Sequence, residues 1–313
     1  MKKYYPFITL AVLLVLPLVG FSTYVMHILI LLLMWATIGM SWNLLSGYCG
    51  QVSFGHAAFF GIGAYTAGIL YSKGAISSWY GLPLSVLVVG VFAFLIGLIV
   101  LRLRGPFFAL ATLASGEVFR VASENMAWLT NGTQGIMLQK RLWVSKEPYY
   151  YIILAIAVGT FILMRYLVGS KLGYFFVAIR EDQDAAESMG INTTLYKTIA
   201  LVVSGIVTGI AGAFYMNYMG YIDPHIVFAL HDISIITIMI VMVGGVATQW
   251  GPFVGAVIMV LLQEMVRSVE SLGALHMAIF GLLLIFIIIF LPNGIVGDLS
   301  KIKRFFGIGR VKA

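Results

Sequence analysis

Apolar runs long enough to cross a bilayer recur along the chain, separated by short polar breaks, and this alternation constrains the fold more than any motif does. A hydrocarbon core about 30 Å thick needs about 20 apolar residues in a helix rising 1.5 Å per residue. Measured so, the 313 residues divide into ten segments, 5–21, 26–45, 57–70, 82–101, 107–121, 149–167, 199–218, 233–243, 251–266 and 275–291. Composition agrees: 61% of residues are hydrophobic and 10% charged, against about 45–50% apolar and about 25% charged in soluble domains. The pattern predicts an all-α integral membrane protein of about ten transmembrane helices, within a range of eight to ten. A net charge of +7 does not mark a nucleic-acid binder, because the basic residues sit in clusters between apolar runs, as membrane topology places them. Met1-Lys2-Lys3 resembles the start of a signal peptide. However, Leu16-Pro17-Leu18-Val19-Gly20-Phe21 offers no small-x-small cleavage site and a second apolar run follows, so a retained first helix is expected.

Orientation follows from charge. With the N-terminus inside and the segments alternating, thirteen of the 19 Lys and Arg fall on the inner side and six on the outer. The positive-inside rule then places both termini in the cytoplasm, which requires an even number of spans. The longest outer loop, 122–148, contains Asn131-Gly132-Thr133, formally a glycosylation pattern, with nothing else to indicate a secretory-pathway lumen. The only sizeable inner loop is 169–197. Neither loop is long enough to bury a core, so residues 1–313 read as a single transmembrane domain.

Two glycine-rich stretches interrupt the apolar runs: Gly47-Tyr48-Cys49-Gly50-Gln51-Val52-Ser53-Phe54-Gly55-His56, and Gly244-Gly245-Val246-Ala247-Thr248-Gln249-Trp250-Gly251. Glycine lets the backbone leave the helix, and the freed polar groups must then face protein or a water-filled cavity. Paired interruptions of this kind mark the solute path in many transporters. The path candidates are Gly50, Gln51, Ser53, Gly55, His56, Gly244 and Gly245. The competing reading is close helix packing through small residues, which fits Gly61, Gly63, Ala64 and Gly68. Cys49 is the only cysteine and the five histidines are scattered, so neither an intramolecular disulfide nor a metal site is expected.

The inner loop reads Arg180-Glu181-Asp182-Gln183-Asp184-Ala185-Ala186-Glu187-Ser188-Met189-Gly190. Acidic residues suit the start of a short helix, and Gly190 suits the left-handed position that ends it. Helical spacing puts Ala185, Ala186 and Met189 on one side, a small apolar face suited to a groove on a cytoplasmic partner. No G-x-x-x-x-G-K-[ST] phosphate loop occurs. No cofactor is expected in this chain, and any ATP that drives it must bind elsewhere.

The stretch Gly47–Phe59 resembles the signature of LivM-type permeases of branched-chain amino-acid ABC importers. So do Arg102-Leu103-Arg104-Gly105-Pro106-Phe107-Phe108-Ala109, Thr130-Asn131-Gly132-Thr133-Gln134-Gly135, the run from Gly173 through Asn192 to Ala213, and Pro292-Asn293-Gly294-Ile295-Val296-Gly297. The matches cover most of residues 40–300 in order. The resemblance implies an importer of two related permeases, two cytoplasmic ATPases that bind ATP and Mg, and an external solute-binding protein, in a bacterial inner membrane. It implies that Arg180–Gly190, with Arg180, Glu181, Ala185, Ala186, Met189 and Gly190, forms the helix that contacts an ATPase. Ala247-Thr248-Gln249 and His231-Asp232 depart from the family pattern. They leave the substrate open between branched-chain amino acids and urea, amides or other small solutes. A secondary transporter driven by an ion gradient is the rival class. It usually carries ionisable residues within its spans, whereas here Glu117, Arg120 and Glu264 lie near segment ends.

Overall fold

The computed structural model describes residues 13–74, 76–139, 142–268, 281, 282, 285, 289 and 293–298. Residues 5–12 of the expected first segment and most of the last segment lie outside the described residues, as do the terminal basic residues used for orientation. The rest of the first segment is helical over 13–15 and ends in the 3-10 turn Leu16–Val19.

The second to ninth expected segments each become a helix: α1 (Thr23–Trp42), α2 (His56–Gly74), α3 (Gly81–Val100), α4 (Pro106–Asn125), α5 (Glu147–Gly169), α8 (Thr193–Met219), α9 (Ile236–Gly244) and α10 (Gly251–Ser268). Between α5 and α8 the inner loop adds two short helices, α6 (Lys171–Glu181) and α7 (Gln183–Ser188). Among the described residues, five helical stretches rather than ten are long and apolar enough to cross a membrane: Thr23–Tyr48, Ser78–Val100, Glu147–Gly169, Thr193–Met219 and Pro224–Gly244. Gly251–Val266 is apolar but shorter. The difference has physical causes. Glycine and polar residues dilute the apolarity of α2, and Glu117, Arg120 and Glu124 dilute that of α4. The second glycine break delays the start of α10 to Gly251, which leaves Gly251–Val266 short.

The packing is that of a multi-pass membrane protein. On α3 the large residues Leu87 (68% exposed), Val91, Leu95 and Ile99 (73% exposed) face outward, while Ser85, Val89, Ala93 and Gly97 are buried. Water would reverse that order, and lipid favours it. The chain's centre is α2, buried from His56 through Gly68 and packed along α8, which also borders α1 and α3. A Cβ on Gly63 would collide with the backbone of Gly209, and one on Gly212 with the Phe60 carbonyl. The two backbones meet only because those side chains are missing.

The 27 residues of α8 span about 40 Å and define two ends. At the Thr193 end lie α6 and α7. At the Met219 end, Ile136–Met137 and Tyr221–Ile222 form a two-residue antiparallel ladder, Ile136 opposite Ile222. That ladder ties the 122–148 loop to the bundle, a contact no helical periodicity announces.

Candidate functional site

Both glycine breaks lie at the Thr193 end of the bundle, and Asn43 joins them. The last turn of α1 widens into a π-helical stretch, Asn43–Tyr48, which leaves the Asn43 side chain 3% exposed between the breaks. Its amide donates to the Thr248 carbonyl and its oxygen accepts from Ala247 N–H, both at 2.8 Å. Arg180 closes the junction from α6: its Nη1 donates to the Gly47 carbonyl at 3.2 Å. Gly50 has φ +73°, and a Cβ there would lie 2.8 Å from Arg180 Cγ. Thr248 Oγ1 donates to the Gly245 carbonyl at 2.7 Å and accepts from Gly251 N–H at 3.0 Å, which folds the second break between α9 and α10. Gly50, Gly244 and Gly245 are thus brought together with Arg180.

Their neighbours are turned inward. Ser53 is fully buried, its hydroxyl accepting from Gly55 N–H at 3.1 Å and its carbonyl accepting from Trp42 Nε1 at 2.8 Å. The half-buried Gln51 accepts at its carbonyl from Ser46 Oγ at 2.9 Å. Gly55 packs on Thr112 of α4. His56, also fully buried, lies 2.8 Å from Ser204 Oγ. Ser204 Oγ donates to the Ser41 carbonyl at 2.8 Å, and Ser41 and Thr208 share a hydroxyl hydrogen bond at 2.7 Å. The result is a polar seam joining α1, α2 and α8, in which each hydroxyl satisfies a group that neither lipid nor a dry core would satisfy.

The coupling segment is built as a capped turn. Asp182 is the N-cap of α7 and accepts from Asp184 N–H and Ala185 N–H at 2.9 and 3.0 Å, while Gly190 takes φ +82° beyond its end. Lys197 of α8, 1% exposed, donates to Gln183. The Glu187 carboxylate accepts from Thr193 and Gln183. Those hydrogen bonds, Thr193's first, hold its pKa below the usual carboxylate range. Arg104 reaches in from the loop before α4 to pair with Asp184 at 2.6 Å. One expectation is corrected here. Ala186 is 4% exposed and packs into the chain's own core, whereas Ala185 is exposed and Met189 is 84% exposed. Six residues make fewer than two turns, and the face that anchors α7 to α8 takes Ala186. Of the expected contact residues, Arg180, Glu181, Ala185, Met189 and Gly190 are exposed, and Ala186 is not.

Toward the other end of the bundle lies a cavity of about 500 Å³. Leu31, Met34 and Trp35 of α1, Tyr215 and Met219 of α8, Val260, Gln263 and Glu264 of α10, and the π-helical stretch Leu230–Ile235 line it. None of the seven path candidates does. The sequence did carry a signal, His231-Asp232 at the head of an apolar run and Gln263-Glu264 inside another. What it lacked was the register that turns both pairs toward one space.

The chain matches the branched-chain amino acid transport system / permease component family over residues 24–288. The high-affinity branched-chain amino acid transport system permease protein LivM of Salmonella typhimurium is 28% identical over 289 residues, 83% of this chain and 67% of that protein. LivM of Escherichia coli K12 is 27% identical over 296 residues, 85% of this chain and 68% of that protein. The permease protein LivH of Salmonella typhimurium is 23% identical over 284 residues, 84% of this chain and 91% of that protein. No solved structure matches the chain significantly. With 24–288 matched and the helical bundle of a multi-pass membrane protein in place, the chain belongs to the branched-chain amino acid transport system permease family.

Proposed function

We propose that this chain is the membrane-spanning permease subunit of an ATP-driven importer of branched-chain amino acids in a bacterial inner membrane. The match across residues 24–288 carries the reading. Its partners are a second related permease, two cytoplasmic ATPases and an external solute-binding protein. That LivM and LivH both resemble this chain over more than four fifths of its length supports a pathway shared by two related permeases. The ATPases bind ATP and Mg, since this chain has no phosphate loop. Ten spans place both termini in the cytoplasm, on the same side as α6 and α7.

In this reading an ATPase groove receives the Ala185–Met189 face, flanked by Arg180, Glu181 and Gly190. Movement of α7 reaches the junction through the hydrogen bond from Arg180 to Gly47. The junction of Gly50, Gln51, Gly55, Gly244 and Gly245, backed by Ser53 and His56, forms the inner end of the solute path, where glycine backbone shifts without side-chain collisions.

The test is ATP-driven uptake of leucine, isoleucine or valine by the complex reconstituted in liposomes, with the chain alone as control. Uptake should require the ATPases, the binding protein and ATP together. Uptake by this chain alone, without ATP, would overturn the reading in favour of a secondary transporter.

A further inference from the structure

The 500 Å³ cavity is the right size and make-up for a small amphiphile. Small-molecule sites run at about 300–1,000 Å³, mostly apolar with a few placed polar groups. Leu31, Met34, Trp35, Ile236 and Val260 line it together with His231, Asp232, Gln263 and Glu264. Trp35 stands twelve residues into α1, about 18 Å from its start, so the space reaches the middle of the bundle. Glu264 stands thirteen residues along α10 from the second glycine break, about 20 Å from the junction. Both carboxylates line this space near the ends of their apolar segments, and an ionisable group beside a bilayer faces a wet cavity or a partner. Glu264 accepts from Tyr24 OH at 2.7 Å, which orients it. Asp232 sits in a π-helical stretch, a distortion that is rare and frequent at functional sites.

We propose that this cavity is a binding site, within the single permease chain, for an apolar amino acid in its zwitterionic form. The ammonium group lies toward Asp232 and Glu264, the carboxylate takes the Gln263 amide or Tyr215 hydroxyl, and the aliphatic side chain rests on Trp35, Met34 and Val260. The assignment rests on the importer reading for its solute. It departs from that reading in placing recognition some 20 Å from the glycine junction, on residues outside both glycine breaks.

The test uses the full complex in membrane vesicles, with Leu31→Cys, a half-buried lining position that makes none of the proposed polar contacts, in a Cys49→Ala background, reacted with a small water-soluble thiol reagent. Leucine should slow labelling about tenfold, the equivalent of about 1.4 kcal/mol. 4-Methylpentanoate, which lacks the ammonium group, should not. Adding Asp232→Asn or Glu264→Gln should remove the protection by leucine while labelling without ligand continues at the same rate, showing an intact cavity. Three results would overturn the proposal: no labelling in the absence of ligand, no protection by leucine, or equal protection by 4-methylpentanoate, the mark of an acyl-chain crevice. Failure of the wild-type complex to take up branched-chain amino acids with ATP would count against the importer reading alone, because the labelling assay reads the cavity without transport.

Discussion

Asn43 makes two hydrogen bonds to backbone that glycine has freed from helix, and its own side chain is buried between the breaks. Asn43→Ala strands the Ala247 N–H and the Thr248 carbonyl, at about 1–3 kcal/mol for each group left unsatisfied. A lowered midpoint of thermal unfolding in detergent is the expected outcome. Asn43→Asp should also fall, because it retains the acceptor but loses the donor to Thr248. Glu187 makes a prediction about pH. Its folded pKa is depressed by hydrogen bonds from Thr193 and Gln183, so its contribution is complete above the unfolded value of about 4.3. It is lost as pH falls through the lower, folded value. Pepsin cleavage within 180–192 should therefore rise in that acid window in the wild-type chain. In Glu187→Gln the cleavage should lose this pH step. A wild-type profile without the step would show that Glu187 does not hold α7.

At the scale of elements, the contact between α2 and α8 depends on missing side chains. Gly63→Ala drives a methyl group into the Gly209 backbone and should cost about 1–3 kcal/mol, as overpacking does. Gly159→Ala on α5 meets nothing within 4 Å and should be neutral or gain up to about 1 kcal/mol in helix propensity. Unfolding midpoints of the two variants check the pair, and equal effects would refute the packing account. The helices themselves were legible, since each expected segment from 26–45 to 251–266 found a helix. The two-residue ladder and both π-helical stretches were not. A one-residue change in helical hydrogen bonding leaves no periodic trace in eleven or so neighbouring residues, and a ladder of two pairs has no alternation to read.

At the scale of the whole molecule, the docking face separates two substitutions that the sequence placed together. Met189→Asp puts a carboxylate on an exposed position. It should reduce copurification of the ATPases and ATP-driven uptake, with thermal stability kept. Ala186→Asp buries a carboxylate inside the permease's own core. It should lower stability by several kcal/mol, seen as poor recovery of the folded chain before any coupling assay. If Met189→Asp left both association and uptake intact, α7 would not be the contact.

What the sequence by itself determined is the membrane class, the helical segments, the glycine breaks and the capped inner turn. Each depends on local spacing: twenty apolar residues for a bilayer, glycine for a broken helix, and acidic residues and Gly190 for the two ends of the inner turn. Only the tertiary structure decided that the two breaks, some 200 residues apart, share one asparagine, and that Arg180 rests on the first of them. It also decided that Ala186 faces inward and that His231, Asp232, Gln263 and Glu264 surround one space. These depend on the rotation of each helix about its axis and on which helices are neighbours. In a chain apolar on nearly every side, hydrophobic periodicity does not encode that rotation. It is set by small residues that admit a close approach and by buried hydrogen bonds that close only in one register, as at Gly63 with Gly209 and at Ser41 with Ser204 and Thr208.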